Sequence, residues 1–122
     1  MIDDYRYSEH FSKKELACKC CGEPGPIKPE LIAALEELRR LAGGPLIVNS
    51  GYRCARHNAE VGGAKASQHT KGAAADVKSK TLTPLELFAL AVQIPAIKGV
   101  GLYKGWVHVD VRKTKKRVLW QG

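Results

Sequence analysis

Trp106-Val107-His108-Val109-Asp110-Val111-Arg112, WVHVDVR, alternates valine with polar or aromatic residues over its whole length. Successive side chains of a β-strand point to opposite faces, so this period of two places every valine on one side and Trp106, His108, Asp110 and Arg112 on the other. One face is expected to build core and the other to carry chemistry. Gly99 to Tyr103 reads as its hairpin partner, with the turn at Lys104-Gly105.

Working outward, Ala73 to Val77 reads as a further strand made of small residues, and Leu46-Ile47-Val48 as a short buried strand leading into Ser50-Gly51-Tyr52-Arg53. Helices punctuate these strands. Ser12 with Glu15 three residues on has the pattern of a capping box, predicting a short helix to about Ala17. Pro29 suits a first helical position, and Leu31, Ile32, Leu35, Leu38 and Leu41 recur at helical spacing until Gly43-Gly44-Pro45. Cys54 to Val61 reads as one or two helical turns closed by Gly62-Gly63, followed by loop from Ala64 to Gly72. Thr83-Pro84-Leu85-Glu86 repeats the cap, proline and acid pattern and predicts a helix through about Gln93, ended by Pro95. Gly22 to Pro26, GEPGP, is loop by composition. The expected fold is α+β: a small, mainly antiparallel sheet with helices packed on one side and a site on the exposed sheet face.

At 122 residues with 44% hydrophobic side chains, one domain spanning residues 1–122 and one core are expected, as a monomer. No apolar run approaches the roughly 20 residues of a membrane span, and the start, MIDDYRYSEHF, lacks the basic and apolar regions of a signal peptide. Synthesis in the cytoplasm without membrane insertion is therefore expected. The net charge of +8 favours polyanionic partners such as nucleic acid, anionic lipid or the bacterial wall. Arg112 to Arg117, RKTKKR, is the one basic cluster and reads as a solvated tail. No nucleic-acid recognition motif accompanies it, so a nucleic-acid partner is not expected. Cys18, Cys20, Cys21 and Cys54 are too few for a disulfide scaffold, and their spacing is not that of paired CxxC motifs; metal, disulfide and buried-thiol readings all stand.

The stretch Ser50 to Asp76, SGYRCARHNAEVGGAKASQHTKGAAAD, gathers arginine, histidine and carboxylate among small residues. His69 and Asp76, joined by His108 from the strand at 106–112, offer two imidazoles and a carboxylate. Such a set with an open fourth position is what catalytic zinc requires, at bonds of about 2.0–2.2 Å, and the pKa of its water then falls towards about 7. Each residue also has a plainer reading, as a surface histidine, a turn aspartate and a polar-face histidine, and spacing alone leaves both open.

Ser50-Gly51-Tyr52-Arg53, Asn58, Val61-Gly62-Gly63, the element Ser67-x-His69-x-x-Gly72-x-Ala74-x-Asp76, Gly101-x-Tyr103 and Trp106 to Arg112 together resemble the zinc D-alanyl-D-alanine carboxypeptidases and phage L-alanyl-D-glutamate peptidases. These belong to the wider group that includes the hedgehog and lysostaphin-type folds. The resemblance implies that His69, Asp76 and His108 bind one Zn²⁺ and that Arg53 stabilises an oxyanion, a task suited to a permanently charged planar fork. For Arg53 the alternative is a structural salt bridge, with Asp110 as a candidate partner. Ser67 is implied to help hold substrate or the zinc loop, its plainer reading being an ordinary turn serine, and Tyr52 is implied as a further substrate contact. The small peptidases of this kind also often carry cysteines after the first helix and after SGYR, as at Cys18, Cys20 and Cys54, which implies that these approach one another in space.

The sequence departs from several relatives, which carry a catalytic acid three residues before the last zinc histidine, where this chain has Gly105. Asp110 is left either to accept the proton or to orient His108, and the second role is favoured; His57 is a weaker alternative. The function implied is hydrolysis of a peptide bond in the peptidoglycan stem peptide, by a phage or prophage lysis enzyme acting on the wall after its release. The alternative is a zinc-containing wall-peptide or protein binding module of the same fold without turnover.

Overall fold

The computed structural model describes residues 6–22, 25–63 and 67–122. The first five residues, the middle of the GEPGP loop and the beginning of the loop expected from Ala64 lie outside them. In chain order the elements are α1 (Lys13–Leu16), α2 (Pro29–Ala42), β1 (Leu46–Ser50), α3 (Ala55–Glu60), β2 (Ala74–Ser79), α4 (Pro84–Ala91), β3 (Gly99–Leu102), β4 (Val107–Asp110) and β5 (Val118–Gln121). No helix among these residues is long and apolar enough to cross a membrane.

The helix ends follow local chemistry. Ser12 and Thr83 each accept from the backbone N–H three residues on, while Glu15 and Glu86 reach back to the cap N–H, so both capping boxes are complete. Pro29 opens α2, and Gly43, at a φ of 71°, closes it in the left-handed region while donating to the Arg39 and Arg40 carbonyls.

The sheet runs β1-β2-β4-β3-β5 and is mixed: β1 with β2, β2 with β4 and β3 with β4 are antiparallel, and β3 with β5 is parallel. The terminal strand β5 was not expected, because Val118 to Gln121 follows a charged run and its partner lies some twenty residues earlier. The RKTKKR segment is accordingly not all solvated tail. Arg117 reaches the carbonyls of Val92 and Ile94 just beyond α4, the latter at 3.0 Å.

Ala75, Val77, Val100, Val107 and Val109 are fully buried on one face and join Leu31, Leu35 and Leu38 of α2 and Leu87 of α4 in a single core. Burial of each valine or leucine among them contributes roughly 1.5–3 kcal/mol. The opposite face carries Asp76, paired across the ladder with His108, which in turn pairs with Gly101, itself opposite Trp120. In β1 the register slips between Val48 and Ser50, so two residues oppose one and Ser50 comes level with Asp76. One row of residues across five strands thus runs Ser50, Asp76, His108, Gly101, Trp120.

This second face is not the open surface expected from alternation. His69, Asp76, His108 and Asp110 are all buried, Asp110 completely. Trp120 covers His108, with ring centroids 5.0 Å apart. Gly101 makes that possible, since a Cβ there would collide with the Trp120 indole. Gly99 likewise leaves room for the Asp110 carboxylate.

Candidate metal centre and cleft

Asp76 and His108 are held at adjacent points of the β2–β4 ladder, and His69 is brought to them by the turn that precedes β2. Thr70 and Gly72 donate backbone N–H bonds to Ser67 and His69, and Gly72, at a φ of 70°, sits so close to the Pro26 carbonyl that no side chain fits. Arg53 N–H donates to the His69 carbonyl at 3.2 Å, tying this turn to the segment after β1.

Both imidazoles have one nitrogen committed to the protein. Nδ1 of His69 is 2.8 Å from the Gly51 carbonyl, which can only accept, so His69 carries its proton there and turns the Nε2 lone pair inward. Nε2 of His108 is 2.8 Å from Oδ2 of Asp110, which presents its Nδ1 lone pair to the same point. Asp76 Oδ1 stands between them, 3.3 Å from His69 Nε2 and 3.1 Å from His108 Nδ1. Tetrahedral ligands with bonds of about 2.0–2.2 Å lie about 3.3–3.6 Å from one another. The three atoms therefore have the chemistry and nearly the spacing of a zinc site, and all lie within 4.8 Å of one another.

Without a cation in the cluster, the carboxylates and imidazoles favour one another's charged forms, and a metal would take the place of the proton between His108 and Asp76. Burial works against ionising Asp76, yet His108 and His69 hold its carboxyl well below the usual carboxylate range. Burial likewise disfavours charge on His108, but Asp110 and Asp76 raise its pKa above the ordinary histidine value. Asp110 is buried, which opposes ionisation, but its bonds to Arg112 and His108 prevail and keep it charged. The Arg112 guanidinium grips it through Nε to Oδ1 at 2.9 Å and Nη2 to Oδ2 at 2.7 Å, and the Arg112 backbone N–H adds a bond of 3.1 Å to Oδ1.

Arg53 reaches the same cluster from the other side. Its guanidinium donates to Ser50 Oγ at 3.1 Å, Asn58 Oδ1 at 3.3 Å and Asp76 Oδ2 at 3.2 Å. The salt bridge considered between Arg53 and Asp110 is not formed, because Arg112 occupies that carboxylate. Asn58, buried on α3, sets the position of Arg53, so α3 borders the site, while α2 and α4 back the core face.

A cleft of about 440 Å³ opens above the metal-ligand cluster, lined by Arg53, Ser67, His69, Asp76 and His108 and walled by Tyr103, Trp106 and Trp120. Tyr103 and Trp106 stack with centroids 4.8 Å apart, and Trp120 Nε1 donates to the Tyr103 hydroxyl at 2.9 Å. Ser67 stands at the cleft, where its Oγ accepts from the His69 N–H at 3.1 Å. Tyr52 does not line it; its ring lies against Gly25, which has no side chain to obstruct it. His57 is also outside the lining, on α3. Gly105 lies in the turn closed by Tyr103 N–H to the Trp106 carbonyl at 3.0 Å, with open space beside it. The aromatic wall was only partly visible beforehand: alternation put Trp106 on this face, but Trp120 required β5.

Comparison with curated proteins finds no match. A model of the family described as Peptidase M15, whose members depend on zinc, matches residues 9–110. That span contains the three metal-ligand candidates, Arg53, Asp110 and the core strands around them, and the chain belongs to the peptidase M15 family.

Proposed function

We propose that this zinc-dependent peptidase hydrolyses a bond in the stem peptide of bacterial peptidoglycan, as a D-alanyl-D-alanine carboxypeptidase or an L-alanyl-D-glutamate endopeptidase. The observation that carries the reading is the convergence of His69 Nε2, Asp76 Oδ1 and His108 Nδ1 at the floor of a cleft beside Arg53. A wall enzyme of a phage or prophage, made in the cytoplasm and reaching the wall on release, is the setting we infer from the family and the basic charge of +8.

His69, Asp76 and His108 would hold the zinc ion, which would supply a Lewis acid for the scissile carbonyl and lower the pKa of water. The chain's own residues do the rest. Arg53, pinned at three points, presents a fixed positive charge to the carbonyl oxygen as its charge develops, or to a substrate carboxylate. Because the Tyr103 hydroxyl accepts from Trp120, its own O–H remains a donor for the substrate backbone. The aromatic wall shields the small aliphatic side chains of a stem peptide from water. A second groove of about 410 Å³, sharing Gln68 and Arg112 with the cleft, adds Lys28, Lys71 and Lys113, a basic lining suited to the carboxylates of such a peptide. Asp110 meets His108 on the nitrogen away from the cluster, which favours orienting the ring over taking a proton.

One observation favours the alternative of a binding module without turnover: among the described residues, Asp76 is the only carboxylate lining the cleft. Digestion of purified walls separates the two. Solubilisation, or release of D-alanine, that chelation stops and zinc restores is expected, with mass spectrometry of the fragments naming the bond. Walls that stay intact and release no D-alanine in the presence of zinc-loaded protein refute the peptidase reading.

A further inference from the structure

We propose that Cys18, Cys20, Cys21 and Cys54 bind a second zinc ion in a closed four-thiolate site, separate from the histidine cluster, that clamps the N-terminal segment to the residue next to Arg53. The proposal stands whether or not the protein cleaves peptidoglycan.

The thiols come from two segments far apart in sequence, the turn after α1 and the N-cap of α3. Their sulfurs are 3.7 Å apart for Cys18 and Cys20, 3.6 Å for Cys18 and Cys54 and 3.4 Å for Cys20 and Cys54. Cys21 completes a group of four whose sulfurs all lie within 4.8 Å of one another. A tetrahedral site with zinc–sulfur bonds of about 2.3 Å has edges of about 3.8 Å. A disulfide would draw one pair to about 2.05 Å and leave the others apart. Here three sulfurs are nearly equidistant and no pair stands out, which is the shape of a cage.

The surroundings suit a cluster of thiolates. The Cys54 N–H points at Cys18 Sγ and the His57 N–H at Cys54 Sγ, each at 3.4 Å, and an Arg56 guanidinium nitrogen lies 3.8 Å from Cys20 Sγ. Metal binding would displace the thiol protons. Thiolate donors favour a soft or borderline cation, and four of them leave no open position, so the site is structural.

What it would hold in place is specific. Cys54 follows Arg53 directly and caps α3, the helix that supplies Asn58 to the Arg53 guanidinium. Tyr52 N–H donates to the Leu16 carbonyl at 2.9 Å, so the metal would close a contact already begun by the backbone.

The test uses the whole chain, purified under reductant and analysed for metal content. Two zinc ions per chain are expected, one remaining in a His69→Ala, His108→Ala protein and one remaining in a Cys20→Ser, Cys54→Ser protein. Cobalt loaded in place of zinc should give intense thiolate-to-metal absorption in the near ultraviolet, kept by the histidine variant and abolished by the cysteine variant. Cys54→Ser alone preserves a side-chain acceptor at the N-cap of α3, so circular dichroism of that protein separates loss of metal from loss of fold. A cobalt spectrum without thiolate bands, or a purified protein two hydrogens lighter than its fully reduced mass, overturns the proposal. Because the thiolate bands are read directly, their presence or absence is independent of whether the histidine cluster binds zinc.

Discussion

Asp110→Asn tests the arrangement around His108 most directly. Four donors converge on the native carboxylate: His108 Nε2 at 2.8 Å, Arg112 Nη2 at 2.7 Å, Arg112 Nε at 2.9 Å and the Arg112 backbone N–H at 3.1 Å. An asparagine offers one neutral oxygen and a pair of N–H donors in the same space, so two of those four contacts become donor against donor, whichever oxygen is replaced. The bond that fixes the His108 tautomer is then weakened or lost. Outer-shell partners of this kind are worth 10–100-fold in metal affinity, about 1.4–2.7 kcal/mol. Zinc affinity of the histidine cluster should fall by that factor, measured by competition with a chelator and assigned by its disappearance in His69→Ala. Arg112→Met leaves the Asp110 to His108 bond in place and should cost less. Urea unfolding of the metal-free proteins shows how much of either effect is general destabilisation. An Asp110→Asn protein with wild-type zinc affinity, lowered turnover and no acidic limb in its pH–rate profile would refute the orienting role and make Asp110 the proton acceptor.

Arg53→Ala should retain zinc and the fold while lowering turnover of a stem-peptide substrate by about 10²–10³-fold, the usual cost of a lost oxyanion donor; Arg53→Lys should recover little, because one ammonium cannot meet Ser50, Asn58 and Asp76 together. Unchanged turnover in the alanine protein would remove Arg53 from the chemistry. Glu36→Gln addresses stability through pH. Burial raises the pKa of Glu36, but bonds from Ser8 and His10 outweigh it and hold the carboxyl below its ordinary value. A lowered pKa in the folded protein means that the stabilisation is present above the unfolded value, near 4.5, and is lost as pH falls through the lower folded value. Wild type should therefore exceed Glu36→Gln by about 1 kcal/mol at pH 6, with the gap closing below about pH 4 in denaturant titrations. A constant gap would show that the contacts do not depend on the charge.

The elements readable in advance are those written in neighbouring residues. Both capping boxes, the proline start of α2, its glycine stop and the alternation of β4 need only a few positions each, and all are found as read. What the sequence concealed depends on contacts through space. The parallel pairing of β5 with β3 is not signalled by Val118 to Gln121 themselves, and without it Trp120 has no place in the cleft. The slip at Asn49 that turns Ser50 towards Asp76 has no local signature either. Alternation correctly separated His108 and Asp110 from the valines, but not their burial, because Arg53, Ser67, Arg112 and Trp120 stand over that face. Tyr52 shows the same limit: its neighbours in sequence are at the site, yet its ring points towards Gly25.

Gly51 links two parts of the molecule that the chain order keeps apart. Its carbonyl fixes the His69 proton, and its missing side chain admits the backbone of Leu16, against which any Cβ would press. Local opening of the segment from Phe11 to Gly22 would release Gly51 and with it the tautomer that zinc needs. The two equilibria are then coupled: metal at His69 should slow hydrogen exchange of amides around Leu16 and Tyr52, and fraying there should loosen the metal by the same free energy.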